Sequence, residues 1–211
     1  MSDDIRMTPV FLAPADRKVT VFGGGKIALR KCRHFEGFRI HVVAEDILPE
    51  IEELAEKTTL VNVTEANAGD FMEGADIILA STNSKRLNWK IRDIAKEKGI
   101  PVNSAHGGGD LLIPSTLRRG GFTITVSSEG RAPAFPPYII EKIDGFLDRS
   151  YESMLDLLVE LRADIMENIP TQPERAEAMA KVIDSQEIWE LLRSGDKAEA
   201  VRKAREEAGL K

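Results

Sequence analysis

Short apolar runs and charged, helix-forming stretches alternate along the first half of the chain, and the pattern changes after about residue 110. β-Branched and apolar runs at 18–22, 38–44, 60–64 and 76–80 predict four strands, and Gly99-Ile100-Pro101-Val102-Asn103 leads into a fifth. The run Asp76-Ile77-Ile78-Leu79-Ala80 is apolar almost throughout, which suits a strand covered on both faces. Helical patterns fill the gaps over 26–35, 49–57 and 85–98. Gly37 is a C-terminal stop for the first, Pro49 a first-turn proline for the second, and Ser81-Thr82-Asn83-Ser84 brings capping side chains to the third. Strands alternating with helices predict an α/β fold on a doubly wound parallel sheet.

Past residue 110 two runs, 111–115 and 122–128, read as strands joined by Arg118-Arg119-Gly120-Gly121 with no helix between them. The chain then becomes helical. Residues 138–147 and 151–169 place apolar side chains at helical spacing, the second through Met154, Leu155, Leu158, Leu161 and Ile165. Pro170 and Pro173 break this pattern, and 174–193 and 196–208 form two more helical segments around Ser194-Gly195. The Met, Leu and Trp189 stripe reads as core or subunit interface. The expected division is a first domain over 1–112, a small α/β region over 113–148 and a helical C-terminal domain over 149–211. Residues 1–7 are polar and expected to be loose, and Thr8-Pro9-Val10-Phe11-Leu12 forms a short strand or an apolar strap across the sheet.

Composition narrows the function classes. The chain has 211 residues, 42% hydrophobic and 30% charged, enough for a real core in a globular protein. A formal charge of −6 gives no global basic field, so neither nucleic acid nor a membrane surface is an expected partner. The single cysteine, Cys32, rules out an intramolecular disulfide and suits a reducing compartment. It falls in the first helical pattern, where packing is the expected role. No apolar run is long enough for a membrane span and no signal-peptide pattern opens the chain, so a cytoplasmic location is expected.

The first strand ends in Gly23-Gly24-Gly25, and Gly23, Gly25 and Ala28 fit G-x-G-x-x-G/A. The first glycine permits a tight turn, the second lets backbone approach a pyrophosphate, and the third small residue lets the helix lie close to the sheet. The helix N-terminus then offers free N–H groups to the phosphates. Glu45-Asp46 closes the second strand about 20 residues further on, where such a Rossmann-type fold places a ribose-binding carboxylate. A carboxylate there repels a 2′-phosphate and predicts NAD in preference to NADP. Ser81 and Thr82 follow the fourth strand, at the end where parallel sheets meet their ligands, and the same segment also caps the next helix.

These pieces occur in a familiar order. Pro9-Val10-Phe11-Leu12, then Gly23-Gly24-Gly25-Lys26-Ile27-Ala28-Leu29-Arg30-Lys31, Ala80-Ser81-Thr82-Asn83 through Leu87-Asn88, Ile100-Pro101-Val102-Asn103, Ile113-Pro114-Ser115, Arg118-Arg119 and Val126-Ser127-Ser128-Glu129-Gly130-Arg131-Ala132-Pro133 together resemble the precorrin-2 dehydrogenases. The same module stands at the N-terminus of siroheme synthases. The resemblance spans about residues 9–145; the C-terminal helices are similar in type alone. It implies a Rossmann-type dinucleotide-binding domain, a dimerisation region at 113–148, a homodimer and a helical tail. It also implies oxidation of precorrin-2 to sirohydrochlorin with NAD as hydride acceptor, with metal chelation as a second activity in some members. By position, Gly23, Gly24, Gly25, Lys26 and Ile27 would hold the pyrophosphate. Ala44, Glu45 and Asp46 would meet the adenosine ribose, while Ser81, Thr82 and Asn103 would line the nicotinamide side. Ser128 matches a tetrapyrrole-cleft serine that is phosphorylated in some relatives.

One departure bears on chemistry. The family pattern after the fifth strand is Asn-x-x-Asp, its aspartate being credited with acid/base and metal-handling work, and this chain has Asn103-Ser104-Ala105-His106 in a shorter, glycine-rich loop. Histidine transfers protons near neutral pH and ligates metals, and Asp110 is near enough in sequence to bring in a carboxylate instead. His106 and Asp110 are therefore the catalytic candidates, and the metal remains unassigned. A substrate rich in carboxylates needs local cations; Arg118, Arg119 and Arg131 are the candidates because guanidinium binds carboxylate bidentately. The alternative reading is a catalytically weak tetrapyrrole- or dinucleotide-binding carrier or regulatory protein on the same fold.

Overall fold

The computed structural model describes residues 7–210 and divides into two compact units, the first ending at Ile113 and the second beginning at Pro114. Residues 1–6, expected to be loose, lie outside the described residues.

The first unit is built on five parallel strands: β1 (Lys18–Phe22), β2 (Arg39–Ala44), β3 (Lys57–Leu60), β4 (Ile77–Ala80) and β5 (Val102–Ser104). They lie in the order β3-β2-β1-β4-β5, so the sheet reverses direction of growth between β1 and β4. Alternation along each strand feeds two cores. Val19, Val21, Ile40, Val42, Ile77 and Leu79 pack with Ala28 and Cys32 of α1 (Lys26–His34) and Ile51 of α2 (Pro49–Glu52). Phe22, Val43, Ile78, Ala80 and Val102 pack with Ile91 and Ala95 of α3 (Lys85–Glu97) on the other face. A parallel sheet covered on both faces explains why these strands are nearly continuous in apolar residues.

The fold class stands as expected, but several elements moved. The helix expected over 49–57 stops at Glu52, and the strand expected over 60–64 is Lys57–Leu60. Pairing decides this: Lys57 sits opposite His41, and Thr58, Thr59 and Leu60 follow in register with the remainder of β2. The chain must be extended by Lys57 to make that ladder, which overrides a local helical pattern. Residues 8–12 form neither helix nor strand, and Val10 and Phe11 are exposed.

The second unit opens with an antiparallel hairpin, β6 (Ser115–Arg119) and β7 (Phe122–Val126). The strand expected at 111–115 begins only at Ser115, and Arg118 and Arg119 belong to β6; Gly120-Gly121 alone makes the turn, with Gly120 at φ +49°. Leu111 and Ile113 instead pack on the first unit's core. After the hairpin come α4 (Phe135–Phe146) and α5 (Arg149–Asn168), then α6 (Gln172–Asp184), α7 (Gln186–Ser194) and α8 (Lys197–Glu207). The single helix expected over 174–193 is two, because Ser185 is extended at φ −73°, ψ 108°. That break lets Ile188 and Leu192 of α7 join Met154, Leu157, Leu161, Ile165, Val182, Ala200 and Ala204 in one core. No helix among the described residues is long and apolar enough to cross a membrane.

Candidate functional site

The carboxyl ends of β1, β2 and β4 converge on the glycine turn. Gly23 has φ +106°, and its N–H donates to the Val43 carbonyl at 3.0 Å. A Cβ on Gly23 would lie 2.5 Å from the Ser81 carbonyl oxygen, and one on Gly24 would lie 2.0 Å from that of Asp46. The Leu48 N–H donates to the Gly24 carbonyl at 3.0 Å, so the acidic end of β2 is bound to the turn. Gly25 differs: a Cβ there would meet nothing within 4 Å. Gly25 is also the N-cap of α1, with no side chain capping the helix and no acidic residue in its first turn. Uncapped N–H groups beside open space, with Lys26 adding a positive charge, form a cradle suited to an anion. By contrast, α3 starts with the Ser84 hydroxyl accepting from the Leu87 N–H.

Two further observations fit a dinucleotide at this cradle. Glu45 and Asp46 are exposed immediately beyond β2, beside the turn. Ser81 is buried at the end of β4, next to Gly23, and its hydroxyl has no hydrogen-bond partner. An orphaned buried hydroxyl at the switch point of a parallel sheet is where a ligand group supplies the missing partner.

On the far side of β4, the loop after β5 folds back along the strand. The Ala105 N–H donates to the Ala80 carbonyl at 2.9 Å, and the Leu111 N–H to the Val102 carbonyl at 3.1 Å. Asn103 donates its side-chain N–H to the Leu111 carbonyl at 2.9 Å. Asp110 accepts from the Val102 N–H at 2.7 Å, so its carboxylate closes the loop. His106 goes elsewhere: its Nδ1 lies 2.8 Å from the Asn88 amide nitrogen, and the ring is exposed. The structure therefore brings His106 toward Ser81 and Thr82 through Asn88, and holds Asp110 apart from it on the backbone of β5. Asn88 entered the sequence reading only within a resemblance. Its signal was available: it shares a helix face with Ile91 and Ala95, and a fully buried asparagine must be hydrogen-bonded.

The residues expected to meet the substrate's carboxylates and line its cleft, Arg118, Arg119, Ser128 and Arg131, are all in the second unit. Arg119 is committed internally, to Asp144 at 2.6 and 2.8 Å and to Glu152 at 3.5 Å. Arg118 and Arg131 are exposed. Ser128 anchors a tight turn: its hydroxyl accepts from the Ala132 N–H at 3.1 Å and its carbonyl from the Arg131 N–H at 3.0 Å. Within that turn Glu129 has φ +54° and Gly130 φ +81°. A left-handed glutamate is strained, and such strain collects at functional loops. Among the described residues, no group of three or more His, Cys, Asp or Glu is placed to hold a metal ion.

A 3-2-1-4-5 parallel sheet with an open, uncapped glycine turn at its switch point defines a dinucleotide-binding protein. In agreement, a family model described as putative NAD(P)-binding matches residues 10–115. A precorrin-2 dehydrogenase from Methanosarcina barkeri is 30% identical over 189 residues, covering 86% of this chain and 84% of that protein. The solved structure of SirC, a precorrin-2 dehydrogenase, superposes with a TM-score of 0.75 at 27% identity, covering 93% of this chain and 100% of the other. A siroheme synthase from Psychrobacter cryohalolentis is 29% identical over 197 residues; the match takes in 92% of this chain but only 38% of that longer protein. The chain belongs to the precorrin-2 dehydrogenase family, and NAD is its cofactor.

Proposed function

We propose that this chain oxidises precorrin-2 to sirohydrochlorin with NAD, as a homodimer. The observation that supports it most directly is the open cradle at Gly25 beside the unpartnered Ser81 hydroxyl, with a titratable ring at the next loop of the same sheet edge. When bound, NAD supplies the hydride acceptor. The backbone of Gly23, Gly24, Gly25, Lys26 and Ile27 holds its pyrophosphate. Ala44, Glu45 and Asp46 meet the adenosine ribose, the carboxylates disfavouring a 2′-phosphate. Ser81, Thr82 and Asn103 line the nicotinamide side, and His106 meets the substrate there.

On the substrate side, Arg118 and Arg131 keep exposed guanidinium groups for carboxylates, and the Ser128 turn sets the position of Arg131. Arg119 acts through the fold instead, joining β6 to Asp144 of α4 and Glu152 of α5. Residues 113–148 form the dimerisation region and 149–211 the helical domain, following the Rossmann domain of 1–112.

Purified protein, assayed without oxygen with precorrin-2 and NAD, is expected to form NADH and sirohydrochlorin in equal amounts, with NADP a poorer acceptor. Tight tetrapyrrole binding without NADH formation would overturn this reading and favour a carrier.

A further inference from the structure

The amide of Asn88 ties the loop after β4 to the loop after β5, and its hydrogen bonds decide what His106 can do. One end of the amide meets the Thr82 backbone N–H at 3.0 Å and the Thr82 hydroxyl at 2.8 Å. A backbone N–H can only donate, so this end is the oxygen. The amide NH2 therefore lies at the other end, where it donates one hydrogen to the Thr82 carbonyl at 2.9 Å. Its second hydrogen meets His106 Nδ1 at 2.8 Å. An amide nitrogen does not accept hydrogen bonds, so Nδ1 is the acceptor and carries no proton. In the neutral ring the proton is then on Nε2, the ring nitrogen left for a ligand.

We propose that Asn88 is a positioning residue that fixes the neutral His106 ring with its proton on Nε2, so that the ring meets the substrate as a hydrogen-bond donor to a carboxylate and not as a base. This rests on the functional reading above. A histidine base presents a bare Nε2 while its Nδ1–H is held by an acceptor, the reverse of what Asn88 imposes. A donor suits a substrate rich in carboxylates. The reaction also balances without a histidine base. Overall, precorrin-2 would give up a hydride and one N–H proton, NAD would supply the hydride acceptor and water would take the proton, so sirohydrochlorin, NADH and a proton balance the equation.

Long-range ¹H–¹⁵N correlation spectra of the full chain, at about pH 8.5 where imidazoles are neutral, report which ring nitrogen is protonated. The chain has three histidines, so His106→Gln identifies the signal. The wild-type ring is expected to carry its proton on Nε2. Asn88→Ala relaxes it toward a mixture, and Asn88→Asp, which offers only an acceptor, moves the proton to Nδ1. Thr82→Val removes the hydroxyl from the amide without touching the His106 contact, and keeps the Nε2 tautomer. In the anaerobic assay, Asn88→Ala and His106→Ala lower kcat/KM for precorrin-2 by about 10- to 100-fold, the worth of one hydrogen bond to a charged group. His106→Gln, which donates but cannot act as a base, recovers most of that loss.

A wild-type proton on Nδ1, equal tautomer populations in wild type and Asn88→Ala, or a His106→Gln as poor as His106→Ala overturns the proposal. Should Asn88→Ala fail to fold, Asn88→Asp carries the tautomer test. The expected spectra in a wild-type chain that leaves precorrin-2 unoxidised overturn the functional reading instead, because the tautomer is read without turnover.

Discussion

A methyl group on Gly24 would overlap the Asp46 carbonyl, whereas one on Gly25 would enter empty space beside the start of α1. The motif gives Gly23 the turn and Gly25 the approach to phosphate; the structure adds that Gly24, which the motif leaves free, is held against backbone, while the space beside Gly25 is open. Gly24→Ala is expected to lose several kcal/mol of stability or fail to fold, since the clash is with backbone that cannot rotate away. Gly25→Ala keeps a permitted φ of −92° and narrows the unfolded ensemble, which offsets alanine's poorer fit at an N-cap, so its Tm should stay close to the parent's. Its methyl would fill the space proposed for the pyrophosphate, and NAD binding is expected to weaken by about tenfold or more. Thermal melts and NAD titrations of both variants check this. Gly25→Ala with full NAD affinity would mean that the pyrophosphate is not held at this turn. Burial pushes the neighbouring Cys32 thiol up to about 11, in keeping with a packing role for that side chain.

Among the elements, β2 carries the clearest pH dependence. His41 is buried on the α3 side of the sheet, with Nε2 2.9 Å from the Thr59 hydroxyl and Nδ1 without a partner. Burial, then the charges of Lys57 and Lys18, lower its pKa from 6.5 to about 4. Between those values the unfolded chain binds the proton and the folded chain does not, so stability falls as pH drops from about 6.5 toward 4. The contribution is roughly 2–3 kcal/mol, complete above pH 6.5. Urea unfolding across that range should show the slope, and His41→Leu should flatten it; an unchanged slope would assign the acid sensitivity to carboxylates. Element by element, β1, α1, β2, β4 and α3 were legible because apolar periodicity, glycine stops and Ser caps agreed with the tertiary need. The short α2 and early β3 were not, because only the ladder with β2 forces Lys57 into strand. Ser185 was equally silent, a residue that caps or continues a helix according to what its neighbours pack against. At the site, the cradle and acid pair were readable from spacing. The different placements of Asp110 and His106 were not, since they depend on which group each side chain reaches: the Val102 N–H for Asp110 and the Asn88 amide for His106.

At the scale of the whole molecule, the surface suited to assembly is on the second unit. Among the described residues its sheet has two strands, β6 and β7, so each has an unpaired edge, and an isolated hairpin is marginal in water. Helix α4 packs on both strands, yet it leaves large apolar side chains outside: Phe135, Tyr138 and Phe146 are 56%, 52% and 72% exposed. Phe135 and Tyr138 stack at 6.3 Å, and with Ala132, Pro133 and Ala134 they line an open depression of about 410 Å³. Apolar side chains gathered on one helix beside an unfinished sheet are the kind of surface a second copy covers, through a two-fold contact that closes on itself. Sedimentation at micromolar concentration should therefore give twice the mass of 23.3 kDa. A Phe135→Asp, Phe146→Asp double variant should sediment as a monomer with an unchanged far-ultraviolet spectrum, because both residues are exposed on α4 and belong to none of the three cores. It should also keep NAD affinity, whose proposed determinants are all in the first unit, while losing precorrin-2 turnover if the paired hairpins shape the substrate side. A parent chain that is monomeric at those concentrations, or a double variant that remains dimeric, would move the interface elsewhere.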